Sequence, residues 1–315
     1  MNYRRLGDSG IKLSEVGLGG WMTFGHSLDM DRARAIFDKA FEVGINFFDN
    51  SNAYAKGKCE EVWGELLADR RRSSYVLATK VFFPMADGPN DRGLSRKHIM
   101  EQCHASLKRL RTDYIDIYQC HRYDEESSVE EIVRAMDDLI HQGKIIYWGF
   151  SEWPVERVEE ALRFCGDTYY KPKSSQPGYS LLRRDPEKRL FSLCAKAGIG
   201  QVTFSALAQG TLSGKYKPGQ AFPADSRAAD TRSNMFIKRY VDDANILQKV
   251  QKLEPIAREH NCSMSQLALA WVLRRPEVTS VISGATKPTQ VTENAEASGI
   301  KLDEATCRKM EELLA

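Results

Sequence analysis

The chain has 315 residues, 45 Lys and Arg against 43 Asp and Glu, and 42% hydrophobic side chains. That length is generous for an ordinary domain but suits one (β/α)8 barrel of roughly 250 residues with added loops or helices. The nearly cancelling charges are mixed along the chain, which excludes nucleic acid or a membrane surface as the main partner. A local site for a phosphorylated cofactor needs only a few Lys or Arg and stays compatible with this balance.

In chain order, a short hairpin (Tyr3 to Leu6, then Ile11 to Leu13) leads into short apolar runs alternating with amphipathic segments. Strands are predicted at Val16 to Gly19, Ile45 to Phe48, Tyr75 to Thr79, Ile115 to Gln119, Ile145 to Gly149, Ser174 to Gln176, Gln201 to Ser205 and Ser280 to Ser283. Helices are predicted between them at Asp31 to Val43, Cys59 to Ala68, Ser95 to Leu110, Val129 to His141, Pro154 to Phe164, Pro186 to Ala197 and Ala244 to His260. Asp31 and Ser95 suit N-caps, Gly44, Gly143 and Gly198 suit C-terminal stops, and Pro154 and Pro186 suit first turns. Residues 210–243, rich in Gly, Pro, Ser and Lys, interrupt the rhythm and read as a lid. Asp303 to Leu314 reads as a closing amphipathic helix, and no linker divides residues 1–315, so one domain is expected.

Eight strands is the barrel number. A doubly wound sheet shares the alternation, but its dinucleotide form wants Gly-x-Gly-x-x-Gly after the first strand. Gly17-Leu18-Gly19-Gly20-Trp21-Met22 lacks the third glycine. The seven cysteines are scattered, odd in number and without Cys-x-x-Cys, so they read as reduced thiols. The six histidines lack ligand spacing, and no metal is expected. No run approaches 18 apolar residues and no leader precedes the first turns, so the expectation is a cytoplasmic chain without membrane insertion.

Three predicted strands run into an ionisable residue: Phe47-Phe48-Asp49, Leu77-Ala78-Thr79-Lys80 and Gln119-Cys120-His121. In a barrel these ends share the mouth where catalytic groups gather. Asp49 and Lys80, poorly solvated there, are expected to pair. Tyr54, on the following loop, can lean over the mouth as an acid whose pKa a neighbouring Lys80 would lower. His121 can donate to a substrate oxygen. Taken singly, Asp49 equally suits a turn and His121 a structural role; their joint positions carry the reading.

With these residues placed, the chain resembles the aldo-keto reductases, and within them the voltage-gated potassium channel β-subunits and related bacterial reductases. The landmarks run through the whole sequence: Gly19-Gly20-Trp21, Asn46 to Tyr54, Ala78-Thr79-Lys80, Arg92 to His98, the strand ending in His121, Tyr147 to Ser151, Ser205 to Gly210 and Ser213 to Tyr216. The resemblance implies a TIM-type barrel with an N-terminal hairpin, a cofactor-covering loop and a C-terminal helix. It implies hydride transfer from nicotinamide to a small carbonyl substrate, with Asp49, Tyr54, Lys80 and His121 as the catalytic set and Tyr54 as proton donor. Asn is usual in channel β-subunits where His121 stands, which favours the enzyme over a redox-sensing regulatory subunit. The familiar Asp-Thr-Ala-x-x-Tyr run is Asp49-Asn50-Ser51-Asn52-Ala53-Tyr54 here, a change read as neutral for the chemistry.

The resemblance also implies an NADP(H) site. It puts the nicotinamide near Gly20, Trp21, Asp49, Ser151, Gln176 and Phe204, and the pyrophosphate along Ser205, Ala206, Leu207, Gly210 and Lys215. The adenosine end falls near Gly284, Thr286, Gln290, Glu293 and Asn294, with Arg227 over the 2'-phosphate. Arg is common where Gln290 sits, which leaves the discrimination between the two dinucleotides open. Trp21, Phe24, Tyr54, Phe82, His121 and Trp153 are the expected substrate enclosure, although the aromatics equally suit a core. Related proteins often assemble, so a homo-oligomer is a further expectation.

Overall fold

Among residues 1–25, 28–224, 226–231 and 234–315, which the computed structural model describes, eight parallel strands close into a barrel preceded by a two-stranded antiparallel hairpin. The hairpin pairs β1 (Tyr3–Arg5) with β2 (Lys12–Ser14). The barrel strands are β3 (Val16–Gly19), β4 (Phe47–Asp49), β5 (Val76–Val81), β6 (Ile115–Cys120), β7 (Ile145–Ser151), β8 (Ser174–Gln176), β9 (Gly200–Thr203) and β10 (Val278–Ser283). They neighbour one another in sequence order, and β10 pairs with β3 to close the ring. All eight predicted strands are present, with ends shifted by up to two residues.

Strand parity explains where the site falls. Phe47, Val76, Ala78, Ile117 and Val202 form an inner cluster with Leu6 and Leu13 of the hairpin. Their neighbours Phe48, Leu77 and Tyr118 face outward and pack with Phe37, Trp63 and Leu107 of the helix ring. Because side chains alternate along a strand, Asp49, Lys80, Gln119 and His121 lie two or four positions beyond inner residues. They therefore share the inner face at the C-terminal mouth. Burying each large outer side chain contributes about 1.5–3 kcal/mol relative to exposure.

The helices are α1 (Met30–Glu42), α2 (Lys58–Leu67), α3 (Arg96–Leu110), α4 (Val129–His141), α5 (Val155–Cys165), α6 (Leu190–Lys196), α7 (Lys238–Val241), α8 (Ala244–Gln251), α9 (Glu254–Glu259), α10 (Met264–Leu273), α11 (Pro288–Glu296) and α12 (Glu304–Leu314). Ser95 caps α3 as expected, its side chain accepting from the His98 amide. The cap of α1 is Asp29 rather than Asp31, since the Asp29 carboxylate accepts from the Arg32 amide. Gly44, Gly143 and Gly198 all take positive φ just past helices, a conformation that costs glycine nothing. Pro186 sits in a short 3-10 turn at Asp185–Glu187, so α6 starts later than predicted. The single helix predicted from Ala244 to His260 breaks before Pro255, which has no N–H to continue it.

Candidate active site

Lys80 organises the mouth. Its side chain is fully buried on β5 and its Nζ donates to Asp49 Oδ2 at 2.6 Å, to the Asn50 carbonyl at 2.7 Å and to Tyr54 Oη at 3.2 Å. An ammonium has three hydrogens and no lone pair, so these contacts use all its donors. Asp49 Oδ1 is held from the other side by Gln176 Nε2 at 2.9 Å and Gln119 Nε2 at 3.5 Å. The register supports the constellation, with Asp49 opposite Ala78, Lys80 opposite Gln119 and Ser151 opposite Gln176.

Tyr54 reaches the mouth because the chain turns sharply after β4. Ala55 and Lys56 adopt φ of 49° and 50°, and Gly57 follows at 90° before α2 begins. Two non-glycine residues in the left-handed region mark stored backbone strain of the kind that collects at functional sites. The half-buried phenol stands edge-on to His121, with ring centroids 5.7 Å apart. His121 is buried at the end of β6, and its Nδ1 lies 3.0 Å from Ser51 Oγ.

Burial dominates the electrostatics. It pushes the Tyr54 phenol well above its usual range, reinforced by the Asp49 carboxylate and only partly opposed by Arg122. The expected lowering of this pKa is therefore not what the structure gives: burial raises it, and the proton stays on Tyr54 at neutral pH. Burial lowers the Lys80 pKa against the attraction of Asp49. Burial, with the nearby cations Lys80 and Arg122, holds His121 well below the usual imidazole range, so the ring is neutral.

Around this core, the Gly20 amide donates to the Asp49 carbonyl at 2.9 Å, and a Cβ at Gly20 would meet Cys59 Sγ. Ser151 Oγ donates to the Gln176 carbonyl at 2.8 Å. Phe204 follows β9 and is half-buried. Beyond it the chain winds tightly through Ser205, Ala206, Leu207 and Gly210, with positive φ at Ser205, Ala208, Gln209 and Gly210. Gln209 links Ser205 Oγ at 2.7 Å to the Arg227 guanidinium, which also lies over the Trp21 ring at 5.5 Å. Arg227 has no carboxylate partner among the described residues, and burial lowers its pKa. Lys215 likewise has no carboxylate partner among them, and its ammonium lies beside Gly210.

Two cations without a carboxylate partner among the described residues, set along a run of close-approach backbone, form a donor set that fits a phosphorylated dinucleotide. At the other end, Gly284 is open, Gln290 in the first turn of α11 accepts from the Thr286 amide at 2.8 Å, and Asn294 in its last turn donates to Ser283 Oγ at 3.3 Å. Glu293 is otherwise engaged, its carboxylate accepting from Ser263 Oγ at 2.6 Å.

The expected substrate enclosure needs two corrections. Phe24 is fully buried edge-on against Phe37 and Trp63, so it belongs to the core, where that pocket of aromatic edges holds it. Trp153 packs on Phe150 and Tyr123 and lines a separate cleft of about 370 Å³ with Glu152 and Arg183. Trp21 does stand at the mouth, edge-on to Phe236 of the 210–243 segment at 5.2 Å. Phe82 packs against the core and against Phe83, and it is Phe83 that lies beside His121, centroids 4.9 Å apart. Gln119, Phe83, Arg122 and Gln209 are given no role from sequence, and Asn50 and Ser51 are read there only as neutral departures. The one readable signal was Gln119, a polar residue within the apolar run of β6.

The fold is a parallel barrel whose mouth holds a buried Asp–Lys pair against a tyrosine and a neutral histidine, and a model of the aldo/keto reductase family matches residues 15–315. This chain belongs to that family. It is similar to a probable voltage-gated potassium channel subunit beta of Oryza sativa subsp. japonica, 44% identical over 302 residues that cover 94% of this chain and 91% of the relative. A protein of the same description from Arabidopsis thaliana is 44% identical over 307 residues with the same coverage of each. A putative voltage-gated potassium channel subunit beta from Schizosaccharomyces pombe is 39% identical over 323 residues, covering 99% of this chain and 93% of the relative.

Proposed function

We propose that this chain reduces aldehydes or ketones to alcohols with NADPH, Tyr54 donating the proton. The hydrogen bonding of Lys80 carries the reading. Since the ammonium donates to Tyr54 Oη and can accept nothing, the phenolic hydrogen has to point elsewhere, and the open direction is the mouth. A carbonyl oxygen seated there takes that proton, while the neutral imidazole of His121 donates a second hydrogen bond to the same oxygen. A bound nicotinamide supplies the hydride to the carbonyl carbon. The phenolate left on Tyr54 is stabilised by Lys80, whose charge Asp49 sustains, and solvent returns the proton.

Gln176 and Ser151 would hold the carboxamide end of the dinucleotide, and Lys215 and Arg227 its phosphates. Residues 210–243, which carry both cations, act as its cover. The second reading, a nicotinamide redox-sensing regulatory subunit, is favoured by the descriptions of the three relatives. Oxidation of NADPH and NADH followed at 340 nm with a panel of aldehydes and ketones separates the two. Multiple turnovers support the reductase, and tight NADPH binding without turnover supports the sensor. Tyr54→Phe should lower kcat by roughly 10²- to 10⁴-fold and leave NADPH affinity nearly unchanged. Equal loss of both would remove Tyr54 from the proton-donor role.

A further inference from the structure

Ser51 lies in the turn after β4, two residues past Asp49 and three before Tyr54, and is fully buried. Its hydroxyl oxygen has three neighbours. Nδ1 of His121 is at 3.0 Å, the Ala53 amide donates to it at 3.3 Å, and Oδ1 of Asn52 is at 3.4 Å. The Asn52 amide is joined to Gln102, its Nδ2 donating to Oε1 at 3.0 Å, and presents its oxygen to the serine. Ser51 thus has one proton and two acceptors, and the imidazole is the nearer. At 3.0 Å against 3.4 Å the ring nitrogen is the closer acceptor for the single hydroxyl proton, although a second lone pair on the oxygen stays free.

We propose that Ser51 is a positioning residue: by donating to Nδ1 of His121 it holds the imidazole in the tautomer that carries hydrogen on Nε2. That nitrogen has no hydrogen-bond partner among the described residues. A neutral imidazole has one hydrogen, and the bond made by one nitrogen decides which of the two carries it. With hydrogen on Nε2 the ring donates to a carbonyl oxygen; with hydrogen on Nδ1 it would present a lone pair to that oxygen and repel it. The inference rests on the carbonyl-reducing reading for what the Nε2 hydrogen does, whereas the tautomer belongs to the folded chain itself. The replacement of Ala by Ser in the Asp-x-x-x-x-Tyr run, read from sequence as neutral, thereby acquires a role through the ring it touches.

The test has two readouts. Long-range 1H–15N correlation spectra of the 15N-labelled protein report the tautomer of each histidine, and His121→Asn identifies the signals of His121. The expected result is hydrogen on Nε2 in the unmodified protein and a mixture of tautomers in Ser51→Ala. In steady state, Ser51→Ala should lower kcat by about five- to tenfold, the loss of one neutral hydrogen bond in the transition state, with KM for the carbonyl and affinity for NADPH within about twofold. Hydrogen on Nδ1 in the unmodified protein, or a tautomer indifferent to Ser51→Ala, overturns the proposal. So does an unchanged kcat, since a purely structural serine would move only the melting temperature. Should the chain reduce no carbonyl at all, the reductase reading fails while the spectra still decide what Ser51 does to the ring.

Discussion

Lys80→Met removes one half of an ion pair whose ammonium is 0% and whose carboxylate is 4% exposed. Removing a single partner from a buried pair costs about 3–5 kcal/mol, because the remaining charge is uncompensated, whereas removing both is often nearly neutral. The lower end is expected here, since Asp49 keeps the amide donors of Gln176 and Gln119. With about 2.1 cal/mol/K of unfolding entropy per residue, a loss of about 3 kcal/mol lowers the melting temperature of this chain by roughly 5 °C.

Asp49→Asn leaves Lys80 only neutral acceptors, and the burial that already depresses its pKa goes unopposed. The unfolded lysine holds its proton up to about pH 10.4, while the folded one sheds it earlier. Between those two pKa values the unfolded state binds more protons, so the stability of Asp49→Asn rises with pH across that window. Urea unfolding followed by tryptophan fluorescence at pH 7 and pH 9 measures both effects, and the double variant closes the cycle. The double variant should recover at least half of the summed single losses. Strict additivity of the two would refute the claim that they form one buried charge pair.

Arg227→Ala should weaken NADPH by about tenfold or more, the worth of a charge-assisted hydrogen bond to phosphate, and NADH far less; fluorescence titration with each dinucleotide measures this, and equal weakening would leave Arg227 a general role in the cover. His121 gives an acid signature. Its folded pKa lies well below that of the unfolded imidazole, so below about pH 6.5 the unfolded state takes up a proton that the folded state refuses, and stability falls by up to about 1.4 kcal/mol per pH unit. His121→Asn should flatten the decline in urea midpoints between pH 6.5 and 5, with buried His98, also depressed, supplying part of the remaining slope. An unaltered slope would contradict a neutral His121.

The barrel strands were legible because parallel strands buried on both faces read as compact apolar runs, and even the polar Ser174–Gln176 strand fell where the rhythm required one. The meeting of Asp49, Tyr54, Lys80 and His121 was legible because each polar residue ended or followed such a run. What escaped depended on facing directions. α10 carries no polar stripe and is buried from Gln266 to Leu273, so periodicity could not separate it from its surroundings. Phe82 and Phe83 are adjacent and chemically identical, and only the path of the chain after β5 decides which ring meets His121. Phe24 sits three residues past Trp21, yet its ring is claimed by Phe37 and Trp63 from two helices distant in sequence. The sign of the Tyr54 shift escaped for a different reason: a neighbouring ammonium is visible in a sequence motif, whereas the depth of burial that raises the pKa is not.

The hairpin that opens the chain seals one end of the barrel. Leu6 and Leu13 enter the inner cluster from the far end, the turn abuts the chain before β9 so closely that a Cβ at Gly7 would strike the Gly198 carbonyl, and Arg4 clamps the carbonyls of Leu273, Arg275 and Val278 at 2.8–3.0 Å. The tube is corked at one end. With the interior filled by that cluster and the far end closed by the hairpin, the charged side chains at the C-terminal mouth have no second route to solvent through the barrel.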